Sequence, residues 1–292
     1  MKNLITGLLH LAWRLNGLPA NKSERWLLGW AMARLMIRQY FVRGRTSATV
    51  FSETFLDYRL SFFDYATFVG LLNEIFIQRV YDFKTDSPAP FIVDCGSNIG
   101  LSVLFFKRYY PDARVLCFEP DRESFAELSK NIKANNLSGV EIHPFAVLDK
   151  PGPVAFYSDH GHDNRVGMSV TRRLVDKGMR LDETQVEAVC LSSYLEGTVV
   201  WLKLDVEGAE LKVLRELAEK QKLSLIRQMI VEYHYDFSNQ DNSLGELLRL
   251  LEESGFHYLL HSPYRPPYYR HADRPYSFLL YAYRSSADHP RA

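Results

Sequence analysis

The sequence predicts an α/β fold, a doubly wound Rossmann-like sheet with an amino-terminal helical appendage, and three observations predict it. Phe91-Ile-Val-Asp-Cys-Gly-Ser-Asn-Ile-Gly100 reads as an apolar strand that runs into a glycine-bracketed turn and then a helix. Val115-Leu-Cys-Phe-Glu119 reads as the next buried strand. It ends in a carboxylate 19 residues beyond Gly100, about where a βαβ unit carries its acceptor for ribose hydroxyls. Beyond it, strand and helix periodicities alternate as far as residue 284.

Residues 1–83 read as a helical amino-terminal region. Leu4, Leu8, Leu11, Leu15 and Leu18 recur at helical spacing, and after the Gly17 to Pro19 break Trp26, Trp30, Ile37 and Phe41 form a second stripe, so two amphipathic helices are expected. An aromatic-rich stretch follows over 59–83, then the polar connector Lys84-Thr-Asp-Ser-Pro-Ala-Pro90, which marks the boundary to a domain over 91–284. Leu101 to Tyr110 is a helix stopped by Pro111, and Arg122 to Ala134 another. Val140 to Val147 is the third strand, with short extended pieces near Val154 to Tyr157 and Val186 to Leu191. Val199 to Asp205 is the fourth main strand, Glu207 to Glu219 its helix, and Gln228 to Tyr233 the fifth strand. Ser243 and Glu246 form a capping box for a helix ending at Gly255. Phe256 to Leu260 and Ser277 to Tyr283 close the sheet around a Pro- and Tyr-rich loop, and 285–292 is a tail.

A chain of 292 residues, 47% hydrophobic and 24% charged, can bury a full α/β core with an added segment. The three cysteines, Cys95, Cys117 and Cys190, have no metal-like spacing and suit a reducing, cytoplasmic setting. No apolar run is long enough to span a bilayer. The net charge of zero hides an asymmetry: residues 1–50 carry eight Lys or Arg against Glu24 alone, leaving 27 basic and 34 acidic residues for the rest. An acidic body disfavours nucleic acid as a partner. The basic appendage has two readings: packing on the body or on a second subunit, as in a homo-oligomer, or peripheral membrane contact through residues 1–45, for which interleaved Trp and Arg are suited.

Gly96 and Gly100 permit positive φ, and Asn98 between them is the non-glycine residue most tolerant of it. The Gly-x-Asn-x-Gly spacing lacks the pyrophosphate pattern, so a nucleoside-sized ligand fits better than a dinucleotide. On the fourth strand Lys203 and Asp205 share a face, with Leu202 and Leu204 on the other, and Glu207 follows at the lip. Glu232 and His234 share a face at the end of the neighbouring strand. Charged groups in so apolar a setting pair or work. Asp205, Glu207, Glu232 and His234 also make an oxygen-rich set of the kind that suits magnesium or manganese, although a divalent metal is not the favoured reading.

Three motifs, Asp94 to Gly100, Phe118-Glu119-Pro120 and Lys203-Leu-Asp205-Val-Glu207-Gly208-Ala-Glu210, resemble the FkbM family of S-adenosylmethionine-dependent methyltransferases over roughly residues 74 to 234. The resemblance implies a Rossmann-like methyltransferase sheet, S-adenosylmethionine as cofactor and O-methylation of a sugar, glycan or glycosylated natural product. It implies that Asp94, Gly96, Asn98 and Gly100 hold the methionine part, Glu119 the ribose hydroxyls and the region of Ala146 the adenine, with Ser97 and Ser102 hydroxyls toward the methionine carboxylate. Glu74 and Tyr81 match positions that close over the cofactor in the family. Where the family tends to place Leu-Asp, this chain has Leu191-Ser192-Ser193. Methyl transfer to a hydroxyl needs a base: His234 is the first candidate, with Asp205 orienting it or replacing it and Lys203 toward a developing alkoxide. The polar loop with His160, His162, Asp163, Asn164 and Arg165, and Pro263 to Arg270, are candidate acceptor contacts. The alternatives are a membrane-docking cofactor-binding scaffold without catalysis and a nicotinamide-dependent oxidoreductase.

Overall fold

The computed structural model describes residues 2–42, 50–158, 182–235, 241–261 and 276–284. Helices α1 (Lys2–Gly17) and α2 (Lys22–Val42) pack antiparallel, and Asn21 caps the second by accepting from Glu24 N at 2.9 Å. Gly7 and Gly29 let them close, since a Cβ on either would stand 2.7 Å from Met36 or Leu15. The leucine stripe of α1 turns inward as its spacing predicts, with Leu11 and Leu18 buried. Helix α2 buries a different face from the one its tryptophans define. Leu28, Ala31, Met32 and Leu35 enter the core, while Trp26, Trp30, Ile37 and Phe41 stay exposed. The helix is apolar on two sides, so periodicity alone could not choose between them.

The amino-terminal region is not all helix. Strands β1 (Phe51–Phe55) and β2 (Tyr58–Phe62) form an antiparallel hairpin. Its turn is Leu56-Asp57, with Leu56 at φ 55°, so the Asn-Gly signal that announces such turns is missing. Helix α3 (Tyr65–Leu72), capped by Asp64, runs into a π-helical turn over Asn73–Ile77 that carries Glu74 and leads to Tyr81. Nor is the region a separate body: Leu28, Phe55 and Phe76 share one core cluster with Phe105 and Trp201 of the sheet domain.

The main sheet starts with β3 (Phe91–Cys95), α4 (Leu101–Tyr109), β4 (Arg114–Phe118), α5 (Arg122–Ala134) and β5 (Val140–His143). Two asparagines, Asn131 on α5 and Asn135 at its C-cap, close the open side of β2: each accepts from and donates to its backbone, at Ser61 and Arg59. Val140 to Val147 is not one strand, because Pro144 has no N–H to continue a ladder. The chain restarts as β6 (Ala146–Leu148), which joins β7 (Gly152–Ser158) and β8 (Asp182–Cys190) in a small separate sheet. Then come β9 (Val199–Leu204), α6 (Glu210–Glu219), β10 (Ile226–Tyr235), α7 (Leu244–Glu253), β11 (His257–His261) and β12 (Tyr276–Tyr283). Helix α6 begins three residues later than expected, since Glu207 and Gly208, at φ 56° and 103°, cannot be helical.

The seven strands lie in the order β11-β12-β10-β9-β3-β4-β5, with only β12 antiparallel to its neighbours. The chain moves one way from β3 through β4 to β5 and the other way from β9 to β10. The crevice at the carboxyl ends of β3 and β9 is thus the switch point where ligands bind in open α/β sheets. The polar loop at 159–181 and the Pro- and Tyr-rich loop, including Pro263 to Arg270, lie outside the described residues, as does the tail at 285–292.

Candidate active site

A cleft of about 930 Å³, including its open mouth, occupies that switch point. Gly96, Ser97, Asn98, Ser102, Glu119, Ala146, Lys203, Asp205 and Glu207 all line it. Phe118, Phe145, Val147 and Phe156 give it an apolar end around Ala146, and Ile75 and Tyr81 flank it. Two residues expected there do not line it. Asp94, fully buried, sits behind the turn, and Gly100, at φ 91°, faces Leu128, 2.7 Å from where a Cβ would be.

The turn is built from hydrogen bonds within it. Asn98, at φ 47°, donates its N–H to Glu119 Oε2 at 2.7 Å, and Asp121 N–H donates to Oε1 at 2.8 Å. Burial pushes the Glu119 carboxyl up to about 8, an effect these two N–H donors oppose. Ser97 Oγ donates to Asp94 O at 3.0 Å and Ser102 Oγ to Asp94 Oδ2 at 2.5 Å. Both hydroxyls thus hydrogen-bond Asp94 while their residues line the cleft where the resemblance places the methionine carboxylate. Gly96, at φ 86°, has a further reason to be glycine besides ligand approach: a Cβ would lie 2.1 Å from the Asp205 carbonyl oxygen.

Lys203 is buried near the carboxyl end of β9, sharing its face with Asp205 as the alternation predicts. Its Nζ donates to Gly96 O at 2.7 Å and Asp205 Oδ2 at 3.2 Å, and stands 3.4 Å from Asp94 Oδ1. Burial lowers its pKa, but Asp205, Tyr81 and Asp94 outweigh that and hold it well above the usual lysine range. Two of its three hydrogens go to Gly96 O and Asp205 Oδ2, so Lys203 braces Asp205 and the turn.

Beside Asp205 and Glu207 stands His234, 8% exposed, on β10. Its Nδ1 is 2.9 Å from Glu210 Oε1, and its Nε2 is 3.1 Å from Glu207, 3.7 Å from Glu232 and 3.9 Å from Asp205. Glu210, in the first turn of α6, is wholly buried and also accepts from Gly208 N at 2.8 Å and Asn242 Nδ2 at 3.1 Å. Carboxylate oxygens only accept, so Nδ1 carries the proton in its contact with Glu210, and Nε2 faces the carboxylates at the strand ends. Glu210 and Asn242 were not singled out from the sequence. Glu210 ends the third motif, so a signal for it was present; Asn242 carried none. Ser192, where the family tends to have Asp, hydrogen-bonds Glu216 and does not line the cleft.

The acidic cluster carries a stability cost. Burial, then Asp205, pushes the Glu74 carboxyl up. Burial first, then Asp205, pushes Glu232 up to about 7 from 4.5, with Glu207 and Glu74 adding and His234 opposing. A carboxyl whose folded pKa is raised binds more protons folded than unfolded, so stability falls as pH rises from about 4.5 to about 7 and levels off above. Glu232→Gln is expected to melt with wild type near the lower pH and a few degrees above it at neutral pH and beyond. A thermal-shift series in which the variant is no more stable at high pH would contradict this.

Asp205, Glu207 and His234 each offer one ligand atom, all within 4.8 Å of one another, so a hard cation could be held there. The Lys203 ammonium against Asp205 Oδ2 already supplies positive charge to the same carboxylate.

A cleft at the switch point of an open α/β sheet, with a carboxylate at the second strand end, is the arrangement of a nucleoside-cofactor enzyme. Residues 94–258, more than half of the chain, match the methyltransferase FkbM domain, and the chain belongs to that family. It is an S-adenosylmethionine-dependent methyltransferase, and the nicotinamide-dependent and non-catalytic alternatives fall away. The cleft suits that cofactor, with Glu119 aimed into it from β4 and an apolar end at Ala146. The chain is similar to "Methyltransferase 1" of Beauveria bassiana, 30% identical over 67% of this chain and 84% of that one. It is also similar to the 31-O-demethyl-FK506 methyltransferase FkbM of Streptomyces tacrolimicus, 29% identical over 64% and 80%. A third relative is the 2-O-methyltransferase NoeI of Sinorhizobium fredii, 25% identical over 56% and 69%.

Proposed function

We propose that the chain methylates a hydroxyl of a sugar, a glycan or a glycosylated natural product. The observation that carries the reading is the buried Glu210–His234 pair beside Asp205 and Glu207 at the cleft lip. When bound, S-adenosylmethionine supplies an electrophilic methyl carbon whose bond to sulfur breaks with the electron pair staying on sulfur. The chain's own residues then have two tasks, alignment and proton removal. His234 Nε2 takes the hydroxyl proton as the oxygen attacks, and Glu210 stabilises the imidazolium that forms. Asp205, braced by Lys203, and Glu207 orient the hydroxyl. Support for the acceptor class comes from the relatives, one named for a 31-O-demethyl substrate and one for 2-O transfer.

The test supplies S-adenosylmethionine labelled in its methyl group with a panel of glycans and glycosylated natural products. Label in an alkali-stable methyl ether, formed equally in excess chelator, is the expected result. Label found only in alkali-labile esters or on nitrogen would overturn the O-methyl assignment. Activity lost to chelator and restored by magnesium would reassign Asp205, Glu207 and His234 as metal ligands.

A further inference from the structure

We propose that α1 and α2 dock the enzyme on the surface of an anionic membrane. Among the described residues the exposed large apolar side chains are concentrated on these two helices: Ile5, Leu9 and Trp13 on α1, and Trp26, Trp30, Ile37 and Phe41 on α2. Trp13 and Trp26 are 75% and 70% exposed, although tryptophan is among the costliest side chains to leave in water. Three of the chain's four tryptophans lie on this element, and the fourth, Trp201, is buried. Trp13 also lines an open groove together with Leu259 and Leu260 of the edge strand β11, themselves 63% and 51% exposed.

The catalytic body does not cover this stripe, because α2 meets the body through Leu28, Ala31, Met32 and Leu35 instead. Charge decides between the remaining occupants. Residues 1–50 hold eight basic residues and one acid, whereas the rest of the chain holds 27 basic and 34 acidic; Arg34 and Arg38 pair with Glu53 of β1, and the excess on the helices is carried by the other basic residues. A second copy meeting the same face across a two-fold axis would bring basic surface against basic surface. An anionic bilayer offers the opposite charge, attracts the helices and repels the acidic body, which orients the molecule. Apolar side chains among arginines, tryptophans included, are what an interfacial helix presents to headgroups and acyl chains. No described helix is long and apolar enough to cross a membrane, so the contact is one that lies on the surface. Residues 1–93 fall outside the residues matched by the methyltransferase domain, so α1 and α2 are an addition to that match.

The wild-type protein tests the inference without mutation, because its exposed tryptophans report their own surroundings. Mixing the full chain with phosphatidylcholine–phosphatidylserine vesicles is expected to blue-shift its emission, expose it to quenching by brominated acyl chains and float the protein with the vesicles. Phosphatidylcholine alone, or high salt, should lower recovery about tenfold. The triple variant Trp13→Gln, Trp26→Gln, Trp30→Gln should stay in the soluble fraction while binding S-adenosylhomocysteine as wild type does. Emission and flotation unchanged by the anionic vesicles would overturn the proposal. So would a concentration-dependent dimer in ultracentrifugation that the same three substitutions abolish, since the face would then belong to a second copy.

Discussion

His234→Ala is expected to lower kcat by about a hundred- to ten-thousandfold while S-adenosylhomocysteine affinity stays within about twofold of wild type. The split follows from position: Asp205 and Glu207 line the cofactor cleft, whereas His234 stands beside them and outside that lining. An equal loss in cofactor affinity would make His234 a structural residue. Glu210→Gln separates orientation from chemistry. It keeps an acceptor for Nδ1 but loses the charge that favours the imidazolium, so a smaller drop, about tenfold, is expected, with the acid limb of the kcat–pH profile moved to lower pH. A Glu210→Gln profile that superimposes on wild type would remove Glu210 from the catalytic account.

Lys203→Met is expected to cost about 3–5 kcal/mol of stability, enough to lower the melting temperature by roughly 10 °C, because it strands a buried charge. Asp94 is fully buried, its Oδ1 accepts no hydrogen bond, and the Lys203 ammonium at 3.4 Å is the cation facing it. Adding Asp94→Asn to Lys203→Met should recover more than half of the loss, since the uncompensated charge is then gone. If the double variant melts no higher than Lys203→Met alone, the cost lies in the hydrogen bond to Gly96 O and not in the charge.

The central sheet was legible because its strands are buried on both faces and read as apolar runs. Phe91–Cys95 and Val199–Leu204 stand where composition put them, to within a residue. The Ser243–Glu246 cap was equally readable, and Ser243 Oγ does accept from the Glu246 N–H, at 3.5 Å. What failed to show in the sequence depended on tertiary contact. The hairpin at Phe51–Phe62 has an unmarked turn and is completed by Asn131 and Asn135, about seventy positions away, a pairing that no local pattern carries. Of the site, alternation placed Lys203 with Asp205 and Glu232 with His234 correctly. The contact between Glu210 and His234 joins a helix start to a strand end, and the bonding of the Ser97 and Ser102 hydroxyls to Asp94 depends on side-chain rotamers. Neither is encoded in spacing.

The near-contact of Gly96 with the Asp205 carbonyl has a consequence for how this enzyme can vary. In the proposed mechanism the turn that seats the methyl donor and the segment that carries Asp205 toward the acceptor touch backbone to backbone, with no side chain between them to act as a shim. Donor and acceptor geometry are therefore one mechanical unit, and neither can drift by a substituent's width without carrying the other along. New acceptors would have to be accommodated from outside that unit, by segments that can change length or composition while the reacting atoms keep their line.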